Sequence, residues 1–190
     1  MPNKTDLSTF NNAWYRPQIG ASRLKQLVWY FINCLFFLNP LNPSMGLKKF
    51  LLRLFGARVG KEVWIKPAVN IKYPWKLHVG DYCWIGEGVW IDNLAPVTIG
   101  NHVCISQGAM LLTGNHNYKK SSFDLMIGEI VLEDGVWVGA KSLVGPGVTC
   151  RSHAVLSACS ATYKNLEPYQ IYSGNPAVAV RKREIDDQPL

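Results

Sequence analysis

Aliphatic side chains recur at every sixth position from residue 59 to residue 162. Val59, Ile65 and Ile71 form a first triplet, Val79, Ile85 and Ile91 a second, and Ile99, Ile105 and Leu111 a third. Leu132, Val138 and Val144 make a fourth, and Cys150, Leu156 and Thr162 a fifth. The steps between triplets are 8, 8, 21 and 6 residues. A second small or β-branched residue follows most of these positions by four, as at Val63, Val69, Cys83, Val103, Val136 and Ala154. A period of six suits neither an α-helix nor strands that reverse in hairpins, but it suits short strands joined at corners. Three strands per turn predict a triangular prism of five stacked coils, each about 4.8 Å above the last. The steps of 8 are two-residue bulges near Tyr73–Pro74 and Ala95–Pro96, and the step of 21 is an excursion of fifteen extra residues.

A different pattern precedes the prism. Leu24, Leu27, Val28, Phe31, Leu35 and Leu38 follow helical spacing after Ser22, which suits an N-cap. Pro40 and Pro43 end that helix, and Ser44 opens a second one that carries Leu47, Phe50, Leu51 and Leu54 and stops at Gly56. The chain thus divides into a helical extension (1–57), a prism (58–166) with a protruding loop (113–131), and a C-terminal tail (167–190). Two uses of the helices stand side by side. They cover the open first coil, or they also touch a membrane face.

Composition narrows the classes. With 48% hydrophobic and 17% charged residues, the 190-residue chain has ample core material and no disorder signature. It has neither a span of membrane-crossing length nor a signal-peptide pattern, so a cytoplasmic protein is expected, with peripheral contact at the inner membrane face left open. The five cysteines form no CxxC pair and read mostly as buried small hydrophobes. Charge is uneven: residues 1–76 hold 12 Lys and Arg against Asp6 and Glu62, whereas the remainder is net acidic. No nucleic-acid module accompanies the basic half, so an anionic membrane surface or a phosphate-bearing substrate is the expected partner.

The stretches Trp75-Lys76-Leu77, Gly86-Glu87-Gly88-Val89-Trp90-Ile91-Asp92-Asn93-Leu94-Ala95-Pro96-Val97-Thr98-Ile99-Gly100, Thr113-Gly114-Asn115-His116-Asn117-Tyr118 and Ser173-Gly174-Asn175-Pro176-Ala177 resemble the colanic acid biosynthesis acetyltransferases. These belong to the hexapeptide-repeat acyltransferases, and the likeness runs from about residue 20 to residue 183. The resemblance implies a mainly β fold, a left-handed parallel β-helix, and a homotrimer. It also implies transfer of acetyl from acetyl-CoA to a sugar hydroxyl in exopolysaccharide or surface-glycan synthesis.

By the same resemblance His116, where the excursion leaves the prism, is the catalytic base. Acyl transfer needs such a base, an oxyanion donor and a groove for both substrates, and imidazole suits the first task. Asp92, one coil away at the same corner, is the expected acceptor that orients the ring, with Asn93 and Asn115 as rival partners. Ala140, Ala158, Lys164 and Arg181 match the family's coenzyme A positions: the two alanines would allow close backbone approach, and the two cations would meet phosphates. His78, His102, His116 and His153 are too dispersed for a metal site, so none is expected. Trp14, Trp84, Trp90, Trp137 and Tyr118 fall on outward positions, for subunit contact or sugar stacking. Two alternatives to O-acetylation remain: N-acetylation of an amino sugar, and a non-catalytic scaffold at the membrane. Arg151 and His153 break the pattern of the last coil without an evident reason.

Overall fold

A computed structural model describes residues 4–186. Strands of two or three residues wind into stacked coils. Coil one is β1 (Arg58–Val59), β2 (Trp64–Ile65) and β3 (Asn70–Ile71), and coil two is β4 (Leu77–Val79), β5 (Trp84–Ile85) and β6 (Trp90–Asp92). Coil three is β7 (Val97–Ile99), β8 (Cys104–Ile105) and β9 (Met110–Leu112). A hairpin of β10 (Gly114–His116) and β11 (Leu125–Ile127) then leaves the prism. Coil four is β12 (Ile130–Leu132), β13 (Trp137–Val138) and β14 (Leu143–Val144), and coil five is β15 (Thr149–Cys150), β16 (Val155–Leu156) and β17 (Ala161–Thr162).

Each face is one parallel sheet: β1-β4-β7-β12-β15, β2-β5-β8-β13-β16 and β3-β6-β9-β14-β17. The stack exceeds the expected five coils by part of a sixth. Leu166 bridges Cys150 on the first face, while β18 (Gln170–Gly174) pairs with β16 on the second. The six-residue step does not carry past Thr162, which hid this rung from the periodicity. β19 (Ala177–Lys182) folds back antiparallel on β18.

The hexad residues stand directly above one another. On the second face Ile65, Ile85, Ile105, Val138 and Leu156 are successive register partners, and on the third so are Ile71, Ile91, Leu111, Val144 and Thr162. Every hexad residue except Val59, on the outermost coil, is buried. Outward positions of the second face instead carry Trp64, Trp84, Cys104 and Trp137 in one column. Cys83 and Cys150 lie in the core, whereas Cys34 and Cys104 are half-buried and Cys159 is exposed, so the expectation of mostly buried thiols holds for two.

The last coil explains its own departures. A Cβ on Gly135 would stand 2.6 Å from the His153 ring, which fills the space above that glycine and stacks on Tyr169 with centroids 4.7 Å apart. Arg151 pairs with Glu167 at 3.7 Å, and Arg183 donates to the carbonyls of Gly135 and His153. These residues tie the partial sixth rung and the tail to the prism.

Helix α1 (Arg23–Ile32) and helix α2 (Met45–Leu54) begin at the expected caps, Ser22 accepting from the Lys25 N–H and Ser44 from the Leu47 N–H. A wide turn over Asn33–Phe37 prolongs α1. Trp29, Asn33 and Phe37, spaced by four, are its buried side chains, while Leu24, Leu27, Phe31 and Leu35 face outward. The open end of coil one dictates this choice. Its strands present carbonyls and N–H groups that no further coil can meet, and unpaired buried groups are costly. Arg53 donates to the carbonyls of Val59 and Gly60 on the first face, and Lys48 to Lys66 O at 3.0 Å on the second. On the third, Trp29 Nε1 donates to Ile71 O at 2.8 Å and Asn33 Oδ1 accepts from the Ile71 N–H. Each face is capped by helical side chains.

Lys48 is fully buried, and burial lowers its ammonium from the usual lysine range. Its folded pKa lies below the unfolded one, so holding the charge destabilises the fold at neutral pH. That cost is relieved as pH rises through the folded value toward 10.5. In urea titrations Lys48→Met, which keeps the volume, is expected to stay within about 1 kcal/mol of wild type and to remove this alkaline gain. Lys48→Ala opens a cavity and is expected to lose about 2–4 kcal/mol.

Candidate active site

The bulged corner between the third and first faces positions the hairpin. Asn93 is fully buried there, accepting from the Tyr73 N–H at 2.8 Å and donating to Tyr73 O at 2.7 Å. One coil on, the Thr113 hydroxyl donates to Asp92 O and accepts from the Ala95 N–H. Gly114 starts β10, packed so closely on Leu94 that a Cβ there would stand 2.6 Å from Leu94 Cδ1 and oblige that side chain to move. Two residues later His116 pairs with Leu125 across the hairpin.

The His116 ring does not meet any of its three expected partners. Its Nδ1 lies 2.8 Å from the Phe123 carbonyl oxygen. A carbonyl only accepts, so Nδ1 carries the proton and the neutral ring keeps its lone pair on Nε2. Asn93 is committed to Tyr73, and Asn115 accepts from the backbone N–H of His116 at 2.8 Å. Asp92 is committed to Lys72, its buried Oδ1 lying 2.9 Å from the lysine Nζ in an ion pair. The orienting group is therefore a backbone carbonyl of the same hairpin. This hairpin provides a closer acceptor than a corner one coil away.

Two aromatic rings that sequence reasoning missed flank the imidazole. Phe123 stacks on it at 4.5 Å and 7°, and Phe10 lies tilted at 5.8 Å. Phe10 arrives with the N-terminal segment, whose Asp6 N–H donates to Ser121 O at the hairpin tip. With Leu7 these rings line a small apolar recess beside His116. The segment continues over the bulged corner, where Tyr15 and Lys76 both donate to Leu94 O. Only a contact between residues more than a hundred apart places Phe10, and no local spacing signals it.

A groove of about 370 Å³ runs between α1 with its wide turn and the third face. Tyr30, Asn33, Lys72, Tyr73, Trp90 and Asp92 are among its walls. Burial raises the Tyr73 phenol above its ordinary range, and the nearby Asp92 carboxylate adds to the shift. Trp90 is 40% exposed and offers a flat apolar face.

The four positions matched to coenzyme A fall in three places. Ala140 and Ala158 share one corner on successive coils, the Cys159 N–H donating to Ala140 O at 2.8 Å. Lys164 lies at the opposite edge of the third face, beyond β17, and Arg181 on β19 at the rim of the second sheet. Lys164 and Arg181 are exposed. Among the described residues, no three His, Cys, Asp or Glu side chains gather as a metal-ligand set.

No family profile matches the chain. The colanic acid biosynthesis acetyltransferase WcaF of Escherichia coli (strain K12) is 38% identical over 164 residues, which is 86% of this chain and 90% of that protein. The chain belongs to the hexapeptide-repeat acetyltransferases. The galactoside O-acetyltransferase of Escherichia coli (strain K12) is 28% identical, over 79% of this acetyltransferase and 75% of its own length. The crystal structure of a hexapeptide-repeat containing acetyltransferase from Vibrio cholerae superposes with a TM-score of 0.71 at 25% identity, covering 90% of this chain and 92% of that one. That protein is also known in complex with acetyl coenzyme A, with a TM-score of 0.71 at 24% identity over 90% of this chain and 88% of that one. The acetyltransferase shares their left-handed parallel β-helix.

Nitrogen NMR of labelled imidazoles is expected to show the neutral His116 ring protonated at Nδ1. The opposite tautomer would disprove the Phe123 contact. Asn93→Ala leaves the Tyr73 N–H and carbonyl unpaired and is expected to cost about 2–4 kcal/mol in urea unfolding.

Proposed function

We propose that this acetyltransferase moves acetyl from acetyl-CoA to a hydroxyl of a sugar used in a surface polysaccharide, with His116 as general base. The observation that carries this reading is the imidazole fixed through Nδ1, with the Nε2 lone pair available. The hydroxyl gives its proton to Nε2 as its oxygen attacks the thioester carbonyl. The tetrahedral oxyanion is met by a backbone N–H of the groove, and collapse breaks the C–S bond. The proton then passes from the imidazolium to the departing thiolate. Direct attack suits the thiols present: burial lifts Cys150 to about 12 and also raises Cys83 and Cys104, so none of these three is activated for an acyl-enzyme.

Acetyl-CoA enters as the donor because the Vibrio cholerae relative binds it. The Ala140–Ala158 corner, bare beyond Cβ, fits an extended thiol arm lying close to the backbone. Lys164 and Arg181 offer phosphate partners at the late coils, to be drawn on by one donor within a homotrimer. The outward tryptophans at 64, 84 and 137 supply the apolar contact surface of that trimer. For the acceptor, the groove of Trp90 and Asp92 has the composition of a sugar subsite, with a flat aromatic face beside a carboxylate and amides. Asp92 thus reads hydroxyls there, and Asn115, exposed next to the base, faces the reacting end.

The test is thiol release from acetyl-CoA against a panel of neutral sugars, amino sugars, and nucleotide-linked and lipid-linked glycans. Wild type is expected to turn over with a hydroxyl acceptor. His116→Ala is expected to lose about 10²–10⁴-fold in kcat while still binding coenzyme A in calorimetry. Turnover with amino sugars alone would establish N-acetylation instead. Absence of coenzyme A binding by wild type would establish the scaffold.

A further inference from the structure

The outward side of the N-terminal helices takes no part in capping coil one. Leu24 is 70% exposed, Leu27 54%, Phe31 55% and Leu35 60%. They form one stripe about 16 Å long at the rise of an α-helix. Beyond it Leu41 is 87% exposed, and on α2 Phe50 and Leu54 are similarly bare. A stripe of this kind on an amphipathic helix usually faces the core. Here Trp29, Asn33 and Phe37 occupy the inner side, so the apolar stripe is left without a partner in the described chain.

The charge around the stripe has one sign. No acidic residue occurs between Asp6 and Glu62, and of the basic residues there Lys48 and Arg53 turn inward to cap coil one. Arg23 is exposed at the head of the stripe, and Lys49 is half-buried on α2 beside Phe50. A second copy presenting the same segment would set cations against cations, with no carboxylate in the segment to compensate. A surface of anionic lipid headgroups over acyl chains complements both features at once. No described helix is long and apolar enough to cross a membrane, which leaves lying along the interface as the lipid-binding mode.

We propose that this face seats the enzyme on an anionic lipid bilayer, with α1 lying in the interface and Leu24, Leu27, Phe31 and Leu35 at the acyl boundary. The groove of Trp90 and Asp92 opens along the same helix through Tyr30 and Asn33, so docking holds it beside the lipid surface. That last consequence, a membrane-held acceptor, rests on the acetyl-transfer reading. The docking itself does not.

The experiment is co-sedimentation of the full chain with vesicles of phosphatidylcholine alone or with about 30% phosphatidylglycerol, across a salt series. Wild type is expected to bind the anionic vesicles and to leave them as salt rises. Leu27→Asp combined with Phe31→Asp is expected to weaken partitioning at least about tenfold. Arg23→Glu combined with Lys49→Glu should weaken it on the anionic vesicles only. Light scattering, circular dichroism and coenzyme A binding without lipid are expected to be unchanged in both. A wild type that stays in the supernatant, or aspartate variants that bind as well as it does, would overturn docking. A fall in assembly mass in those variants would assign the stripe to contact between copies. Should the aspartate pair not fold, the charge-reversed pair decides. Coenzyme A binding, read in the absence of vesicles, keeps failure of docking separate from failure of the enzymatic reading.

Discussion

The backbone hydrogen bonds of a coiled prism run along its axis, so every coil needs a neighbour above and below. Inside the stack this demand is met by the chain itself, as where the N–H of Trp84 bonds to Val103 O and that of Gly86 to Ile105 O. At the first coil it is not, and the helical extension answers with side chains. Arg53, Lys48, Trp29 and Asn33 take over the role of a missing coil. A lysine with no carboxylate partner is kept in the interior because a strand carbonyl there has no other donor. The orientation of α1 follows from the same demand. Polar and aromatic donors turn inward, and the leucines are left outside. The apolar outer face of the molecule is thus a consequence of how the prism is closed.

The narrow interior also decides where chemistry can stand. Columns of Ile, Val and Leu fill the prism, and the few buried hydroxyls, such as Ser142 donating to Ser157 O, are spent on backbone groups. His116 stands instead on the hairpin. The corner between the third and first faces holds two bulges and the hairpin root within three successive coils, locked by Asn93 and Thr113. Rigidity at the root is what allows a short hairpin to hold an imidazole in place.

The prism was legible because its constraint is periodic. All five triplets sit where the step of six puts them, and both helix caps, Ser22 and Ser44, work as their residue types suggest. Part of what could not be read comes from side chains bonding to backbone far away in sequence. Trp29 and Ile71 are 42 residues apart, and Tyr15 and Leu94 are 79. Helical spacing identified a stripe on α1 but not which side was buried, since apolar residues lay on both. Carboxylates and amides are visible as letters, so the sequence points to them as orienters of His116. The group that bonds the ring is a main-chain carbonyl, which every residue has. Phe123 was hidden for the same reason, and Phe10 because a polar N-terminus carries no pattern.

If His116 is the general base, as proposed, a carbonyl in place of a carboxylate changes what that base can do. An aspartate behind a histidine stabilises the imidazolium with a full charge and lets it persist. The Phe123 carbonyl fixes the tautomer but supplies only a dipole. In direct transfer from a thioester the departing thiolate needs the imidazolium's proton as soon as the C–S bond breaks. A weakly supported base therefore suits a reaction in which the proton moves from hydroxyl to thiolate within one encounter. It suits less well a covalent mechanism, in which the charge would have to wait through an acyl-enzyme.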